Sequence, residues 1–283
     1  MKITECPRDA MQGIEKFIPT QRKIDYLNSL LAVGFDVLDF GSFVSPKAIP
    51  QLADTSEVLK GLNLAHTQTK LLAIVANVRG AEEACIHKEI SFLGFPFSVS
   101  ETFQQRNTNK SLAEAFDNVK EIQELSVKHS KKLVVYISMG FGNPYGDEWT
   151  PEIVIKWAKK LAEIGVETIA LSDTVGIANK ATIKPLFETL IPALPSVDFT
   201  AHFHTTPDTW HEKVKAAYDS GCRGFDGAIK GFGGCPMAKD DLTGNMPTEK
   251  LITFMAAEKI ESKINVLAFE SAYNEALKTF PTH

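Results

Sequence analysis

A strand-like run followed by an amphipathic helix recurs along the whole of this 283-residue chain. Eight such units can be counted, from a first strand at Lys2–Glu5 to a last helix at Thr248–Lys259. Strict alternation of strands and helices predicts a parallel sheet covered by helices. Eight units in a chain of this length favour a closed (β/α)8 barrel over an open, doubly wound sheet. The open sheet is also disfavoured because no Gly-x-Gly-x-x-Gly sequence follows the first strand.

The other predicted strands are short apolar runs. They are Val37–Phe40, Lys70–Val75, Glu89–Leu93, Leu133–Ser138, Thr168–Leu171, Asp198–His204 and Gly224–Ile229. Ser111 and Glu114 form a capping-box pattern that predicts the start of a long helix. No linker rich in Pro, Gly or Ser divides the chain, so a single barrel domain is predicted over residues 1–283. Extra C-terminal helices are predicted after about Lys263.

The seventh predicted strand contains two histidines separated by one residue. It reads Asp-Phe-Thr-Ala-His-Phe-His over residues 198–204. Side chains two residues apart in a strand point to the same face, so His202 and His204 would project together. Imidazole is the most common side-chain ligand for metal ions. The alternative is a pair of barrel-interior histidines that only make hydrogen bonds.

Polar residues also follow the first, sixth and eighth predicted strands. Asp9 comes after the first strand, Asp173 ends the sixth, and Asn245 follows the Gly231–Gly234 loop after the eighth. Barrel active sites lie at the carboxyl ends of the strands, and strand eight neighbours strands one and seven. Asp9, Asn245 and the histidine pair are therefore predicted to share one coordination sphere. Asp9 could instead cap a turn, and the glycine loop could cradle an anion.

Composition and charge argue against several classes of function. The formal net charge is −5 and no Lys/Arg cluster is present, which argues against a nucleic-acid surface. No apolar run approaches the ~18 residues of a bilayer span, and the N-terminus lacks a signal-peptide pattern. The four scattered cysteines are typical of free thiols in a reducing compartment. A cytoplasmic protein without nucleic-acid or membrane partners is predicted.

Several segments together resemble the 3-hydroxy-3-methylglutaryl-CoA (HMG-CoA) lyase family, within the wider group of metal-dependent lyase and Claisen-condensing barrels. They are Pro7-Arg8-Asp9-Ala10-Met11-Gln12, Ser42-Phe43-Val44-Ser45-Pro46-Lys47, His202-Phe203-His204, and Gly231-Phe232-Gly233-Gly234-Cys235-Pro236 followed by Gly244-Asn245. His-x-His is shared with the condensing enzymes. The Gly-Gly-Cys-Pro and Ser-Phe-Val-Ser-Pro-Lys runs are specific to the lyase branch. The resemblance covers nearly the whole chain.

The resemblance implies one divalent cation, and mixed oxygen and nitrogen ligands suit Mg²⁺ or Mn²⁺. The implied metal ligands are Asp9, His202, His204 and Asn245. The implied substrate-binding residues are Arg8, Gln12 and Asp173. The implied catalytic residues are Cys235, Arg8, His202 and Asp39. The substrate would be an acyl-CoA thioester, and a homodimer is expected from the family.

The implied reaction is cleavage of HMG-CoA, or a close 3-hydroxyacyl-CoA, to acetyl-CoA and acetoacetate. Arg8 would stabilise the developing enolate oxygen, because its guanidinium is fixed in charge. Cys235 would deliver a proton to the enolate carbon, and His202 would share in proton transfer. The glycines beside Cys235 would give its loop the freedom to close over the substrate.

The chain departs from the family pattern at several positions. Asp39 stands where the family has glutamate and is one methylene shorter, so its contact with Arg8 or with a water could be lost or rearranged. The segment at 237–243 is more acidic than the family loop, with Met237 in place of the usual Tyr. The loop at 141–144 lacks the expected cysteine. These departures could alter the acyl group that is accepted or slow the reaction.

Two other functions are compatible with the same residues. The first is a Claisen condensing enzyme of the isopropylmalate synthase branch, although Gly13-Ile14 replaces the Pro-Gly expected there. The second is a catalytically impaired barrel that binds a metal or ligand, with Asp39 and the acidic loop marking the loss.

Overall fold

Eight parallel strands close into a barrel in the computed structural model, which describes residues 1–234 and 243–280. The strands are β1 Lys2–Glu5, β2 Val37–Ser42, β3 Lys70–Ile74, β4 Ile90–Ser98, β5 Lys132–Ser138, β6 Thr168–Asp173, β7 Asp198–Thr205 and β8 Gly224–Gly227. Each pairs with its neighbour in sequence, and the barrel closes where β1 pairs with β8. A short strand, β9 Gly244–Asn245, pairs antiparallel with β7. The predicted (β/α)8 barrel is confirmed.

Helices follow the strands along the chain. They are α1 Pro7–Gln12, α2 Thr20–Leu31, α3 Thr55–Lys60, α4 Val78–Cys85, α5 Glu101–Thr108, α6 Leu112–Lys128, α7 Pro151–Glu163, α8 Lys180–Ala193, α9 Trp210–Asp219, α10 Thr248–Ala257 and α11 Val266–Thr279. The last of these follows the eight units and packs near α2, where the rings of Phe280 and Tyr26 have centroids 5.5 Å apart. Across the described ranges, each helix is too short or too polar to cross a bilayer.

The alternation of side chains along the strands separates two apolar cores. A small cluster of five buried side chains fills the barrel interior: Leu72, Ile74, Val134, Tyr136 and Ala170. A larger core lies between the strands and the helices. Polar side chains replace apolar ones on the inner face where the strands end, and Asp39, His202 and Asp226 lie there. The fold therefore places ionisable groups at one end of an otherwise apolar interior.

Local sequence accounts for the start of α6 and for the length of β4. The capping box at Ser111 is present, because its hydroxyl accepts from Glu114 N while the Glu114 side chain accepts from Ser111 N. Strand β4 continues well beyond the predicted end at Leu93, although Gly and Pro normally weaken strands. Pro96 is tolerated because β3 ends opposite Gly94, so Pro96 pairs with β5 alone. Helices α1 and α5 were not predicted, since each is less than three turns long.

A buried carboxyl group joins β1 to the last unit of the barrel. Glu5 is fully buried, and its Oε1 accepts a hydrogen bond from Ile229 N at 2.9 Å. Its Oε2 accepts from the Thr248 hydroxyl at 2.5 Å. Burial raises the pKa of Glu5 to about 8, against the opposing effect of these two hydrogen bonds. The folded protein therefore favours the neutral acid.

We expect Glu5→Gln to stabilise the fold, and to do so more at about pH 8 than at about pH 5. An unfolded glutamate titrates near pH ~4.3, so unfolding releases a proton between that pH and the raised pKa of Glu5. Wild-type stability therefore falls as pH rises through this window, whereas the amide has no proton to lose. The gain near pH 8 should be roughly 2–4 kcal/mol in urea unfolding.

Glu82, an exposed residue of α4, provides the control substitution Glu82→Gln. A Glu5→Gln gain that is equal at both pH values would contradict the assignment of a buried neutral acid.

Candidate active site and metal centre

The two histidines predicted to act together project from the carboxyl end of β7 into the barrel mouth. The ring centroids of His202 and His204 are 5.5 Å apart. Asp226 on β8 is the ladder partner of His202, and its Oδ2 lies 3.0 Å from His202 Nδ1. Burial opposes the charged form of His202, but the hydrogen bond and charge of Asp226 raise its pKa overall. Asp226 therefore orients the ring and leaves Nε2 for another partner.

Asp9 joins the histidine pair from α1, the helix that follows β1. One ligand atom each from Asp9, His202 and His204 lie within 4.8 Å of one another, so one metal ion could contact all three. Burial would raise the pKa of Asp9, but the charges of Arg8 and the two histidines lower it overall. Asp9 therefore presents an ionised carboxylate to the histidines.

The state of His204 fits a metal ligand better than a hydrogen-bonded core histidine. Burial, and then the neighbouring His202, lower the pKa of His204 to about 4, so its ring is neutral near pH 7. Its Nδ1 is buried and has no hydrogen-bond partner among the described residues. A buried polar atom without a partner costs free energy, which a bound cation would relieve. Two imidazoles and one carboxylate form a donor set suited to a divalent ion.

Asn245 lies beside this group because β9 pairs it with His204. Its Nδ2 donates to Asp9 Oδ2 at 2.7 Å and to the Phe232 carbonyl oxygen at 2.9 Å. Asn245 thus contacts the cluster through Asp9. The predicted ligand role needs the amide oxygen instead, which a half-turn of the side-chain amide would present.

The guanidinium of Arg8 is buried and paired at the base of the site. Its Nη2 donates to Asp39 Oδ2 at 2.6 Å, and its Nε lies 3.0 Å from the same oxygen. Its Nη1 donates to Asp9 Oδ1 at 3.0 Å and to Gln12 Oε1 at 2.9 Å. Burial alone would lower the pKa of Arg8, but the charges of Asp39 and Asp9 raise it. The expected loss of a contact between the shorter Asp39 and Arg8 is corrected, because the two side chains are directly paired.

A cavity of about 360 Å³ opens above these groups at the barrel mouth. Its polar floor includes Arg8, Asp9, Gln12, His202 and His204. One wall is apolar and is formed by Val44, Ala48, Ile49, Ile74 and Ala76. A ligand with a polar head and a branched apolar part would match this lining.

Asp173 is not brought into this group. Its Oδ2 accepts from Lys213 Nζ at 2.6 Å, and its Oδ1 accepts from Ala178 N at 3.0 Å. It is fully buried and does not line the cavity. The contacts of Asp173 therefore correspond to orienting a neighbour and provide no support for the predicted substrate contact. Lys213 also donates to the His204 carbonyl oxygen at 2.8 Å, so the pair fixes the end of β7.

Sequence reasoning missed three residues that touch the site: Asp226, Lys213 and Tyr136. Asp226 lies on the inner face of the last parallel strand, five residues before the predicted Gly231–Gly234 loop, so strand periodicity could have indicated it. The Tyr136 ring packs edge-on against His202, with centroids 5.7 Å apart. Lys213 carries no such signal, because a lysine within an amphipathic helix normally faces solvent.

The glycine loop after β8 packs against the backbone beside Asp9. Gly233 has φ +84°, and a Cβ at this position would lie 2.7 Å from Ala10 Cα and 2.8 Å from the Asp9 carbonyl oxygen. Glycine is therefore required for this close approach, which gives Gly233 a packing role. Cys235 lies outside the described residues, so its proposed role is still the prediction from the resemblance.

A carboxylate and two imidazoles at the carboxyl end of a parallel barrel, beside a buried arginine, define a metal-binding barrel enzyme site. Comparison with known proteins agrees with this class. The model of the HMGL-like family matches residues 3–275. The chain therefore belongs to the HMGL-like family, as its motifs predicted.

Similar proteins carry related names. Hydroxymethylglutaryl-CoA lyase YngG of Bacillus subtilis is 34% identical over 92% of this chain and 85% of its own length. A 3-hydroxy-3-isohexenylglutaryl-CoA/hydroxymethylglutaryl-CoA lyase of Pseudomonas aeruginosa is 30% identical over 94% of this chain and 88% of its own. The solved structure of an HMG-CoA lyase from Acinetobacter baumannii, in complex with coenzyme A and 3-methylmalate, has a TM-score of 0.91 at 30% identity. It covers 99% of this chain and 90% of that one.

We expect His204→Ala to weaken Mn²⁺ binding by at least about tenfold, because even the loss of an outer-shell partner typically costs a metal site that much. Isothermal titration calorimetry of metal-free protein would measure the affinity. His211→Ala removes an exposed histidine of α9 and should leave the affinity unchanged. Equal Mn²⁺ affinity in wild type and His204→Ala would rule out His204 as a ligand.

Proposed function

We propose that this protein is a divalent-metal-dependent carbon–carbon lyase that cleaves HMG-CoA, or a close 3-hydroxyacyl-CoA, to acetyl-CoA and acetoacetate. The observation that carries the proposal is the Asp9–His202–His204 group beside the buried Arg8 guanidinium, within a chain of the HMGL-like family. Cleavage of the C2–C3 bond needs a C3 hydroxyl that loses its proton and an electrostatic partner for the enolate. A cation held by Asp9, His202 and His204 would serve the hydroxyl, and the Arg8 guanidinium would serve the enolate.

Asp9, His202 and His204, with Asn245 as the fourth residue, would hold the cation. We propose Mg²⁺ or Mn²⁺, because a carboxylate, an amide oxygen and imidazoles without a cysteine suit these ions better than a closed zinc site. When bound, the metal would acidify the C3 hydroxyl of a chelated substrate. His202 is held in orientation for this purpose by Asp226, since Nδ1 is occupied and Nε2 is left available.

Arg8 would stabilise the enolate oxygen of the departing thioester. Its hydrogen bonds to Asp39, Asp9 and Gln12 occupy four of its five N–H groups, counted over the described residues. One N–H of Nη2 is left for a substrate oxygen. The carboxylates keep the guanidinium charged and fixed, so little reorganisation is needed when charge develops on the substrate. Gln12 would act through Arg8 and line the floor of the cavity.

Proton delivery to the enolate carbon is assigned to Cys235 on the strength of the resemblance. An unperturbed thiol has a pKa of about 8.5, so it can act as an acid near neutral pH. His202 cannot easily be a metal ligand and a proton donor at once, which favours the thiol. Asp39 would contribute to catalysis by holding Arg8, and Asp173 would position β7 through Lys213.

The lining of the cavity limits which acyl groups the site can accept. The apolar wall of Val44, Ala48, Ile49, Ile74 and Ala76 would accept the C3 methyl group or a longer branch. The Pseudomonas aeruginosa relative, whose name includes an isohexenylglutaryl thioester, supports testing such longer branches. The complex of the Acinetobacter baumannii protein with coenzyme A supports a CoA thioester.

We also propose a domain organisation, an oligomeric state and a location for the protein. Residues 1–283 would form a single domain, working as a homodimer in the cytoplasm. Free thiols at Cys6, Cys85 and Cys222 support a reducing compartment. A size measurement in solution would test the dimer.

We expect purified protein with Mg²⁺ or Mn²⁺ to convert HMG-CoA to acetoacetate and acetyl-CoA, which a coupled acetoacetate assay and mass spectrometry would detect. Chelation should abolish turnover and added metal should restore it, because Asp9 and the histidines cannot acidify the hydroxyl alone. A panel of branched 3-hydroxyacyl-CoA thioesters would define the acyl group. No turnover of any member by metal-replete protein would refute the lyase, and acetyl-CoA-dependent loss of a 2-oxo acid would favour the condensing enzyme.

We expect Cys235→Ala to lower kcat by about 10²-fold or more, the typical contribution of general acid–base catalysis. Cys85→Ala removes a buried thiol of α4 far along the chain from the site residues and should retain turnover. The catalytically impaired binding barrel would be favoured if wild type and Cys235→Ala had the same residual rate.

A further inference from the structure

A second group of metal-ligating side chains lies within the barrel, next to the one described above. Cys6, His202 and Asp226 each offer a ligand atom, and the three atoms lie within 4.8 Å of one another. The thiol of Cys6 is buried. Over the described residues, its one hydrogen bond is a weak contact of 3.7 Å from Sγ to the Thr4 carbonyl oxygen. The metal centre of the proposed lyase makes no use of this thiol.

We propose that Cys6, His202 and Asp226 form a second metal site, which selects a thiophilic cation such as Zn²⁺. Thiolate sulfur is a soft ligand that favours zinc over Mg²⁺ and Mn²⁺, whereas Asp9, His202 and His204 offer only oxygen and nitrogen. The two groups therefore differ in ligand chemistry although they share His202. The sequence places the thiol two residues before Arg8, directly at the end of β1.

Distances and charge are both compatible with zinc at this position. Zinc binds sulfur at ~2.3 Å and nitrogen or oxygen at ~2.0–2.2 Å, so tetrahedral ligands lie about 3.5 Å apart. His202 Nδ1 and Asp226 Oδ2 are already 3.0 Å apart, so a small movement would bring these two atoms to the spacing of tetrahedral ligands, and one ligand atom of Cys6 lies within 4.8 Å of this pair of residues. A thiolate and a carboxylate together neutralise the charge of Zn²⁺, which is the condition for burying an ion away from water.

Zinc binding would withdraw His202 from the first metal group. A neutral imidazole carries one proton and one free lone pair, so it can bind one ion at a time. Zinc on Nδ1 would displace the hydrogen bond with Asp226 and move the ring proton to Nε2. The thiol proton of Cys6 would leave to solvent. The first metal group would then lose one of its ligands. Zinc is therefore expected to weaken the binding of Mg²⁺ or Mn²⁺ and to inhibit turnover; this inhibitory consequence rests on the proposed function.

Cobalt(II) provides a spectroscopic test that needs no turnover. Metal-free protein given one equivalent of Co²⁺ should show a thiolate-to-cobalt charge-transfer band in the near ultraviolet. Cys6→Ser should abolish the band, whereas Cys85→Ser, Cys222→Ser and Cys235→Ser should keep it. Absence of the band from wild type, its persistence in Cys6→Ser, or its loss in Cys235→Ser would each overturn the site.

A second measurement covers the case in which Cys6→Ser does not fold, as judged by circular dichroism. X-ray absorption at the zinc edge of the Cys235→Ser protein with one equivalent of Zn²⁺ should show one sulfur at about 2.3 Å with nitrogen and oxygen neighbours. A shell of nitrogen and oxygen alone would overturn the site.

Zinc inhibition of Mg²⁺-dependent turnover should weaken by at least about tenfold in folded Cys6→Ser, since the variant lacks a direct ligand. Unchanged zinc sensitivity would overturn the coupling between the two groups. The cobalt band without any lyase turnover would refute the proposed function and leave the second site standing. Turnover without the cobalt band would refute the second site and leave the proposed function standing.

Discussion

The site depends first on the balance of charge around the buried guanidinium of Arg8. Asp39 and Asp9 contact it from β2 and α1, and a charge of this kind left unpaired in the interior would cost several kcal/mol. The pairing holds α1 against β2, and Asp9 is thereby turned towards the histidines. The same carboxylate that offsets Arg8 is thus one of the groups available to a cation, so structural and chemical roles meet in Asp9.

Closure of the barrel brings distant parts of the chain into this cluster. The pairing of β1 with β8, and of β8 with β7, places the start of the sequence beside its last third. The contact between Asn245 and Asp9 joins residues 236 positions apart. No local segment could assemble the group, since its side chains come from α1, β2, β7, β8 and β9. The topology is therefore what converts scattered motifs into one site.

The features that depend on the repeating strand–helix units and on the two-residue period of strands were predictable from the sequence. Alternating units indicate the barrel, the two-residue spacing puts His202 and His204 on one face, and adjacency of the first and eighth strands brings in Asp9. Which polar side chains pair with one another was not predictable. Whether Asp39 reaches Arg8 could not be predicted. Its side chain is one methylene shorter than glutamate, and the position of the backbone decides whether the contact is still made. The pairing of Asp173 with Lys213, and the direction of the Asn245 amide, depend on geometry that pattern alone does not contain.

The ion pair of Lys213 and Asp173 constrains how this chain can change over time. Both side chains are fully buried, and loss of either one leaves the other charge uncompensated at a cost of roughly 3–5 kcal/mol. Joint replacement by apolar residues could be tolerated thermodynamically, but the His204 carbonyl would lose its ammonium partner. Single-step evolutionary drift at either position is therefore blocked, and the two residues are expected to be inherited as a unit.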